Sequence, residues 1–358
     1  MSADLRREEL DYPFDPARIA ARPVEPRDSA RLMVVERSTD RVHHACVRDL
    51  PSWLRAGDTL VVNRTRVRHA RVHLRRTSDD RPFEGLLAEP MSQGDWLLLA
   101  KGARRLHAGD RLEIVDGRGV AVAALTCQEK TREGWRVRVP DGVDVQAALE
   151  QAGHTPLPPY ILKARGAHAV PESFDRDHYQ TVYGDDRRMH SVAAPTAGLH
   201  FTPALLERLA AMGVGRASVT LEVGLGTFKP VEAATLSAHA MHRERCEVPA
   251  ETLEVLRRRR AGPRGRLVVV GTTTVRTLET LPEPLPTGTW SGESSLLIQP
   301  GHAFRHVDAL MTNFHLPGST LLALVGAFLG LDRLKSLYAL AQREGYRFFS
   351  YGDCMLIV

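Results

Sequence analysis

The chain has 358 residues and carries 48 basic residues against 43 acidic ones, which gives a formal net charge of +5. Its hydrophobic fraction of 43% is ordinary for a globular protein, and no segment has the roughly 18 uninterrupted apolar residues that predict a membrane span. This length exceeds the usual size of one domain, so two domains, or one domain with a large insertion, are expected.

The amino-terminal residues, MSADLRREELDYPFD, have no apolar core of the kind that a signal peptide needs, so a cytoplasmic protein is expected. The four cysteines lie far apart without a C-x-x-C pair, which is typical of free thiols. The excess of basic residues, most of which are arginines, permits a nucleic-acid partner without establishing one.

Short, strand-like segments fill the chain from residue 58 to about residue 140. They begin with TLVVNRT and continue through runs such as RHARVHLRR, DWLLLAKG and GWRVRVP, with turn-forming residues between them. This spacing is typical of a small barrel or sandwich. A helix, DVQAALEQAG, follows and ends at Gly153. We therefore expect an all-β insert over residues 58–150.

Helices and buried strands alternate in residues 151–358. The segments PALLERLAAMGV, ETLEVLRRRRAG and STLLALVGAFLG are predicted helices, and Ser319 is the natural N-cap of the last one. The strands RASVTLEVG, RLVVVG and VDALMTNF separate them. This alternation predicts a layered α/β domain, formed by residues 1–57 together with residues 151–358.

Polar residues follow one buried strand in LVVVGTTTVRT. Thr272, Thr273 and Thr274 can cap the next helix and offer backbone N–H groups to an anion. Arg276 lies in the first turn, where a cation opposes the helix dipole, so an anionic partner would help to hold it. The alternative is an ordinary threonine cap with a solvated arginine.

Two further polar loops have the same character, MTNFHLPGST and VAAPTAGLHFT. Ligands of open α/β sheets bind at the carboxyl ends of strands, which is where Thr312, Asn313 and His315 fall. His315 and His200 have side chains that transfer protons near neutral pH. A histidine at a strand end can equally serve as a structural hydrogen-bonding group.

Two nucleotide-binding motifs are missing. VGLGTFK has Lys229 where a dinucleotide-binding fingerprint needs its third glycine, and no G-x-x-x-x-G-K-[ST] segment exists. The sequence therefore favours neither a Rossmann-type site nor a P-loop.

Taken together, many segments resemble one family in collinear order over nearly the whole chain. The family is that of the S-adenosylmethionine:tRNA ribosyltransferase-isomerases of queuosine biosynthesis. The resemblance rests on DSARLMVV, GDTLVVNRTRV, AKGARRLHAGD, GHTPLPPYI, YQTVYG, VAAPTAGLHFT, VTLEVGLGTFKPV, HAMHRE, VVGTTTVRTLE, LMTNFHLPGSTLL and YRFFSYGDCMLI.

The resemblance implies a fold and an activity. The fold is a three-layer α/β/α domain interrupted by a β-barrel-like insert. The activity transfers and isomerises the ribosyl group of S-adenosylmethionine onto the aminomethyl group of a 7-deazaguanine at the tRNA wobble position. Epoxyqueuosine forms, and adenine and methionine are released. S-adenosylmethionine is then a consumed co-substrate, and no metal or other cofactor is expected. A monomer is the default expectation.

The chain departs from the family pattern at a few positions. Met189 and His190 stand where family members usually carry Pro-Gly, and Arg64 replaces an Asn or Asp of an N-[ND]-T-R-V motif. Cys354 stands where Ala is common, which argues against a nucleophilic thiol.

The reaction that the resemblance implies suggests roles for the polar loops. His200 and His315 are the candidate proton carriers, because imidazole has a suitable pKa. The positive sulfonium favours a carboxylate or an aromatic face, for which Asp353, Tyr351 and Phe349 are the candidates. A buried aromatic cluster is the alternative.

The remaining substrate contacts are also hypotheses. Arg276, with the N–H groups of residues 272–274, is the candidate clamp for the methionine carboxylate, and Thr312 and Asn313 are candidates for reading a base. The candidate tRNA contacts are Arg64, Arg66, Arg71, Arg257 and Arg258. Such charged residues can equally form a solvated face.

Two other functions remain open from the sequence. Another S-adenosylmethionine-dependent enzyme, such as an RNA methyltransferase, would release S-adenosylhomocysteine instead of adenine and methionine. A non-catalytic RNA-binding protein would bind tRNA through a basic barrel and consume nothing.

Overall fold

The computed structural model describes residues 4–168, 170–224, 226, 233–260 and 265–358. The strands are β1 Arg31–Val35, β2 Val42–Cys46, β3 Thr59–Asn63, β4 Arg71–Arg76, β5 Pro82–Pro90, β6 Asp95–Ala100, β7 Arg111–Val115, β8 Ala121–Lys130, β9 Trp135–Arg138, β10 Gly215–Leu221, β11 Glu244–Val248, β12 Leu267–Val270, β13 Trp290–Ser294, β14 Ala309–Asn313 and β15 Cys354–Ile357. The helices are α1 Val145–Ala152, α2 Pro159–Arg165, α3 Glu172–His178, α4 Pro203–Ala211, α5 Ala250–Arg260, α6 Thr272–Thr280, α7 Thr320–Leu329 and α8 Leu331–Arg343.

A nine-stranded sheet, in the order β13-β11-β10-β3-β12-β14-β15-β1-β2, is the frame of the main domain. The central strands β10, β3, β12 and β14 are parallel to one another. Their sequences are nearly continuous apolar runs, and all four residues of β12 are buried. This is the pattern of parallel strands that are covered on both faces.

Alternate residues of these strands enter two separate hydrophobic cores. Val61 and Val269 pack with helices α5 to α8 on one face of the sheet. Leu60 and Val270 pack with helix α4 on the other face. The resulting three layers confirm the predicted α/β/α domain.

The insert is a closed antiparallel barrel in the strand order β4-β5-β6-β9-β8-β7. Its strands alternate in burial, as β4 shows with Val72 and Leu74 inside and His73 exposed. Closure leaves no free sheet edge. Helix α1 packs on the barrel through Leu149 and Ala152.

The predicted start of the insert at residue 58 is wrong. Strand β3 pairs with β10 and β12 in the main sheet, so the barrel begins with β4 at Arg71. The burial of β3 explains the error, because Leu60, Val61 and Val62 are all buried. A strand buried on both faces belongs to the parallel sheet and not to an alternating barrel wall.

The structure also bears on the expectations about the cysteines and about a membrane span. All four cysteines are free, as predicted. Among the described helices, none is long and apolar enough to cross a membrane.

The sheet brings the polar loops to one edge. The carboxyl ends of β3, β12 and β14 meet there because these strands are parallel. Strand β15 runs antiparallel to β14, so its amino end lies at the same edge. Ligand sites of open α/β sheets form at such an edge.

Candidate functional site

A cavity of about 380 Å³ opens at this edge of the sheet. Its polar wall includes Thr272, Thr273, Arg276, Thr312, Asn313, His315 and Lys163. Its aromatic wall includes Tyr160, Tyr179, Phe314 and Phe349. None of its described lining residues is Asp or Glu. Apolar walls with a few converging polar groups are typical of a small-molecule site.

The amino end of α6 forms one wall of the cavity. Gly271 makes the turn from β12 with φ 85° and ψ 149°, a conformation that is accessible mainly to glycine. Thr272 and Thr273 line the cavity, and Asn63 Nδ2 donates to Thr273 Oγ1 at 3.2 Å. Thr274 points away, since its hydroxyl donates to Val270 O at 2.6 Å. The first N–H groups of a helix have no intrahelical acceptor, so this wall suits an anion.

Arg276 lies on the same helix but already has an anionic partner. Its Nη1 forms a close ion pair with Glu244, and both residues are almost completely buried. Its Nε also donates to Leu296 O at 3.3 Å. The position of Arg276 in the first turn of α6 predicts an anionic partner, and that partner is Glu244 of the chain itself. Arg276 lines the cavity with this internal partner, so its direct contact with a substrate carboxylate stays a prediction.

Thr312 and His315 lie together at the end of β14. Thr312 Oγ1 is 2.8 Å from His315 Nε2. The backbone N–H of His315 donates to the Tyr338 hydroxyl at 3.0 Å, and the Tyr12 hydroxyl donates to His315 O at 2.6 Å. Burial lowers the pKa of His315 to about 4, so its imidazole is neutral at pH 7.

Asn313 faces the cavity with one unpaired atom. Its Nδ2 donates to Phe349 O at 3.0 Å and to His200 Nε2 at 3.3 Å. Its Oδ1 is buried without a hydrogen-bond partner among the described residues. A buried polar atom without a partner is costly, so a ligand that donates a hydrogen bond here would relieve that cost.

His200 lies behind Asn313 and not in the cavity wall. Burial is the main cause that lowers the pKa of His200 to about 3, with smaller effects from the charges of Arg347 and Arg27. Its imidazole is therefore neutral and holds the Asn313 amide. It contacts the Asn313 amide and does not line the cavity, and its predicted proton-transfer role stays a prediction.

Phe349 occupies an unusual backbone conformation beside the cavity. Its φ is 70°, which is strained for a bulky side chain. The Phe349 ring lies 5.0 Å from the Tyr160 ring, and the Tyr160 hydroxyl is 2.6 Å from Ser350 Oγ. Such strain is common where a loop must present a group to a ligand.

Asp353 and Tyr351 lie outside the cavity wall. The Asp353 carboxylate accepts from the backbone N–H groups of Arg31 at 3.0 Å and Arg347 at 2.7 Å. It therefore fixes the turn before β15. The Tyr351 ring packs edge to face on Tyr179, which does line the cavity. The geometry does not support a direct contact of either residue with a sulfonium.

The predicted tRNA-contact residues are all paired with carboxylates. Arg64 lies 3.2 Å from Glu247, Arg66 lies 2.5 Å from Asp186, and Arg71 lies 3.4 Å from Glu84. On α5, Arg257 and Arg258 share Glu254 at 2.5 and 2.7 Å. These ion pairs are mostly near the surface, where they contribute little stability. The tRNA contacts stay a prediction, which requires the arginines to exchange a carboxylate for a phosphate.

Several residues of the site were not predicted from the sequence. Tyr160, Lys163 and Tyr179 line the cavity from segments that follow the barrel. Glu244 was missed as the partner of Arg276. Three of these residues, Tyr160, Tyr179 and Glu244, lie in the family-like segments PLPPYI, YQTVYG and HAMHRE. Nothing in the local sequence, however, shows that they reach the strand ends.

The fold and the cavity together define an enzyme-like α/β protein with a small-molecule site at its strand ends, beside a barrel domain. The family described as "Queuosine biosynthesis protein" matches residues 7–357. The chain therefore belongs to the queuosine biosynthesis protein family.

Individual relatives agree with this assignment. The chain is 44% identical to the S-adenosylmethionine:tRNA ribosyltransferase-isomerase of Gloeobacter violaceus over 357 residues, covering 99% of this chain and 96% of that one. It is 46% identical to the protein of the same name from Symbiobacterium thermophilum, covering 99% and 100%. The crystal structure of S-adenosylmethionine tRNA ribosyltransferase from Thermotoga maritima matches with a TM-score of 0.54 and 36% identity, covering 98% of this chain and all of that one.

Proposed function

We infer that this chain is an S-adenosylmethionine:tRNA ribosyltransferase-isomerase, the name that its relatives carry. Family membership over residues 7–357 and identities of 44–46% support the inference. The structural observation that carries it is the cavity at the strand ends. That cavity combines an anion-binding helix end, aromatic faces and an unpaired buried acceptor.

The proposed reaction uses two substrates. The ribosyl group of S-adenosylmethionine is transferred and isomerised onto the aminomethyl group of a 7-aminomethyl-7-deazaguanine at the tRNA wobble position. Epoxyqueuosine-tRNA forms, and adenine and methionine leave. The acceptor amine must lose a proton, and adenine needs a hydrogen bond or a proton as its bond to C1′ breaks. The sulfonium acidifies neighbouring C–H bonds and leaves as a neutral thioether. The protein therefore contributes positioning and proton transfer more than a nucleophile.

Aromatic side chains are the proposed partners of the sulfonium. Tyr160, Tyr179 and Phe349 line the cavity wall. A cation over an aromatic face within about 6 Å is stabilised by about 0.5–2 kcal/mol. This role replaces the one predicted for Asp353 and Tyr351, because those residues lie behind the wall.

The amino end of α6 is the proposed site of the methionine carboxylate. The backbone N–H groups of Thr272 and Thr273 lie at the cavity wall and lack intrahelical acceptors. Lys163 lines the same cavity and forms no ion pair with the described residues. Arg276 would support this site indirectly by keeping Glu244 neutralised next to it.

His315 is the proposed proton-transfer group for the departing adenine. Its Nε2 is held by the Thr312 hydroxyl, so the other ring nitrogen is left for a substrate. A neutral imidazole can donate an N–H to a leaving base without first taking up a proton. Asn313 Oδ1, which lacks a partner, is the proposed acceptor for the exocyclic amine of adenine.

The remaining expectations are part of the same proposal. The enzyme works as a cytoplasmic monomer and uses no metal or redox cofactor, since the sulfonium itself supplies the leaving group. Contacts of the tRNA backbone with Arg64, Arg66, Arg71, Arg257 and Arg258 would make tRNA affinity fall steeply with salt. Activity should persist in a chelator.

Release of free adenine tests the proposal. The protein is incubated with S-adenosylmethionine and tRNA carrying the aminomethyl base, and the products are separated by chromatography. Adenine is expected only with the modified tRNA. S-adenosylhomocysteine would indicate a methyltransferase instead, and neither product would favour a binding protein.

Variants then test the assigned role of His315. His315→Ala should lower the rate of adenine release by about 10²–10⁴-fold, the usual contribution of a general acid or base. The affinity for S-adenosylmethionine should change far less. His107→Ala is the matched control, because His107 is exposed on the barrel. An unchanged rate in His315→Ala would remove His315 from the mechanism.

A further inference from the structure

A second cavity, of about 300 Å³, lies beside the first. It is enclosed between the end of β5 on the barrel, the residues that directly follow β10, and strand β11 of the sheet. Val223 lines both cavities. The ion pair of Arg276 with Glu244 also separates them, with Arg276 in the wall of the first and Glu244 in the wall of the second. Two adjoining cavities suit a reaction that joins two substrates.

Arg68 is a buried cation in the wall of the second cavity. It is 2% exposed, its Nη2 donates to Ala88 O, and its guanidinium lies over the Trp96 ring at 4.8 Å. Its Nε has no hydrogen-bond partner among the described residues. Burial lowers the pKa of Arg68 to about 10, partly offset by the charges of Glu222 and Glu89, so it stays charged at pH 7.

Glu222 faces the same cavity from the end of β10. Its backbone N–H donates to Arg245 O at 2.9 Å, which fixes its position on the sheet. Among the described residues, its carboxylate forms neither a hydrogen bond nor an ion pair, even with Arg68. A partly buried carboxylate and a buried guanidinium therefore share one cavity without contacting each other. A ligand that carries both donors and an acceptor would satisfy both groups.

A guanine-type base has this arrangement of groups. Its N1–H and 2-amino group are adjacent donors that match the two oxygens of a carboxylate, and its O6 accepts from a guanidinium. Adenine and cytosine do not offer two adjacent donors beside an acceptor. The five-membered ring lies on the opposite side of the base from this edge. A base held by its edge in the second cavity therefore keeps its 7-substituent out of that edge contact, and the first cavity adjoins the second at Val223.

We propose that the second cavity binds the hydrogen-bonding edge of the flipped wobble base, with Glu222 accepting from N1–H and the 2-amino group and Arg68 donating to O6. This inference rests on the proposed function and adds the residues that select the base. A single-stranded loop base can leave its stack at modest cost, which permits such binding.

The test compares two acceptor bases in synthetic anticodon stem-loops. One stem-loop carries 7-aminomethyl-7-deazaguanine and the other carries 7-aminomethyl-7-deazahypoxanthine, which lacks the 2-amino group. For wild type, loss of this group should lower kcat/KM for adenine release by about tenfold to a hundredfold, because a charge-assisted hydrogen bond is lost. In Glu222→Ala, the two stem-loops should react equally. Glu251→Ala, at an exposed position of α5, is the control and should discriminate as wild type does.

Dissociation constants of both stem-loops, measured by fluorescence anisotropy without S-adenosylmethionine, separate this inference from the proposed function. A failure of wild type to release adenine would contradict the proposed function, while the ratio of the dissociation constants would still test the second cavity. A Glu222→Ala variant that keeps the wild-type ratio would overturn the inference, and so would a wild type that binds both stem-loops equally. A merely structural role for Glu222 would weaken both stem-loops by the same factor.

Discussion

The ion pair of Arg276 with Glu244 forms part of the wall between the two cavities and can be dissected by a double-mutant cycle. Arg276→Met removes the cation and keeps most of the apolar stem. Glu244→Gln removes the anion and keeps an oxygen that can still accept from the Gly224 N–H, which lies 3.0 Å away. The double variant replaces both charges at once.

The burial of the pair sets the expected magnitude. Arg276 is 6% exposed and Glu244 is 4% exposed, so either single variant leaves one charge buried without its partner. Removing one member of a buried pair costs about 3–5 kcal/mol of unfolding free energy. Replacing both should cost clearly less than the sum of the single changes, with a coupling energy of about 2–3 kcal/mol, because no isolated charge remains.

Urea denaturation followed by circular dichroism measures the four unfolding free energies at pH 7. Isothermal titration of S-adenosylmethionine into the same four proteins tests the function of the pair. The double variant should recover S-adenosylmethionine affinity relative to Arg276→Met, since Arg276 acts through the cavity wall. Additive stabilities would refute the described pair, and equal loss of affinity in the single and double variants would show a direct contact of Arg276 with the substrate.

Two further predictions concern the stability of the protein when residues near the first cavity are changed. The pKa of His200, about 3 in the folded protein, is far below that of a free imidazole, so the unfolded chain binds more protons as the pH falls below about 6.5. The free energy of unfolding therefore falls on acidification. Because His200→Asn removes this group, the variant should lose about 2 kcal/mol less between pH 7.5 and pH 5, measured by urea denaturation at both pH values. An unchanged loss would show that His200 is not buried as a neutral group. Gly271→Ala should destabilise the protein by about 1–3 kcal/mol and weaken S-adenosylmethionine binding, because alanine is strained at φ 85°. Gly288→Ala, at a position with open space and no positive φ, is its control, and equal thermal shifts in the two variants would contradict the role of Gly271.

Much of the main domain could be predicted because its signals are local. Helix caps and apolar runs lie within a few residues of one another, and the predicted cap is confirmed by Ser319 Oγ accepting from the Leu322 N–H at 3.3 Å. The strand-end threonines and Asn313 were also predicted near a common edge, since parallel strands end together. The boundary of the insert was missed, because β3 reads as a strand without showing which sheet it joins.

The directions of individual side chains could not be predicted in the same way. Asp353 and Tyr351 follow a turn in which Phe349 has a positive φ, and that turn directs Asp353 to two backbone N–H groups instead of the cavity. Similarly, Arg276 and Glu244 are 32 residues apart, and no local pattern pairs them. The sequence located the site, but long-range packing decides which polar groups face a substrate.

We expect the cavity at the strand ends to hold S-adenosylmethionine, and a crystal structure of the protein with this compound would test this. We expect density in the first cavity. The methionine carboxylate should lie at the amino end of α6, the sulfonium against the aromatic wall, and the adenine beside Asn313 and His315. Nucleoside density in the second cavity, or away from the carboxyl ends of β12 and β14, would contradict it.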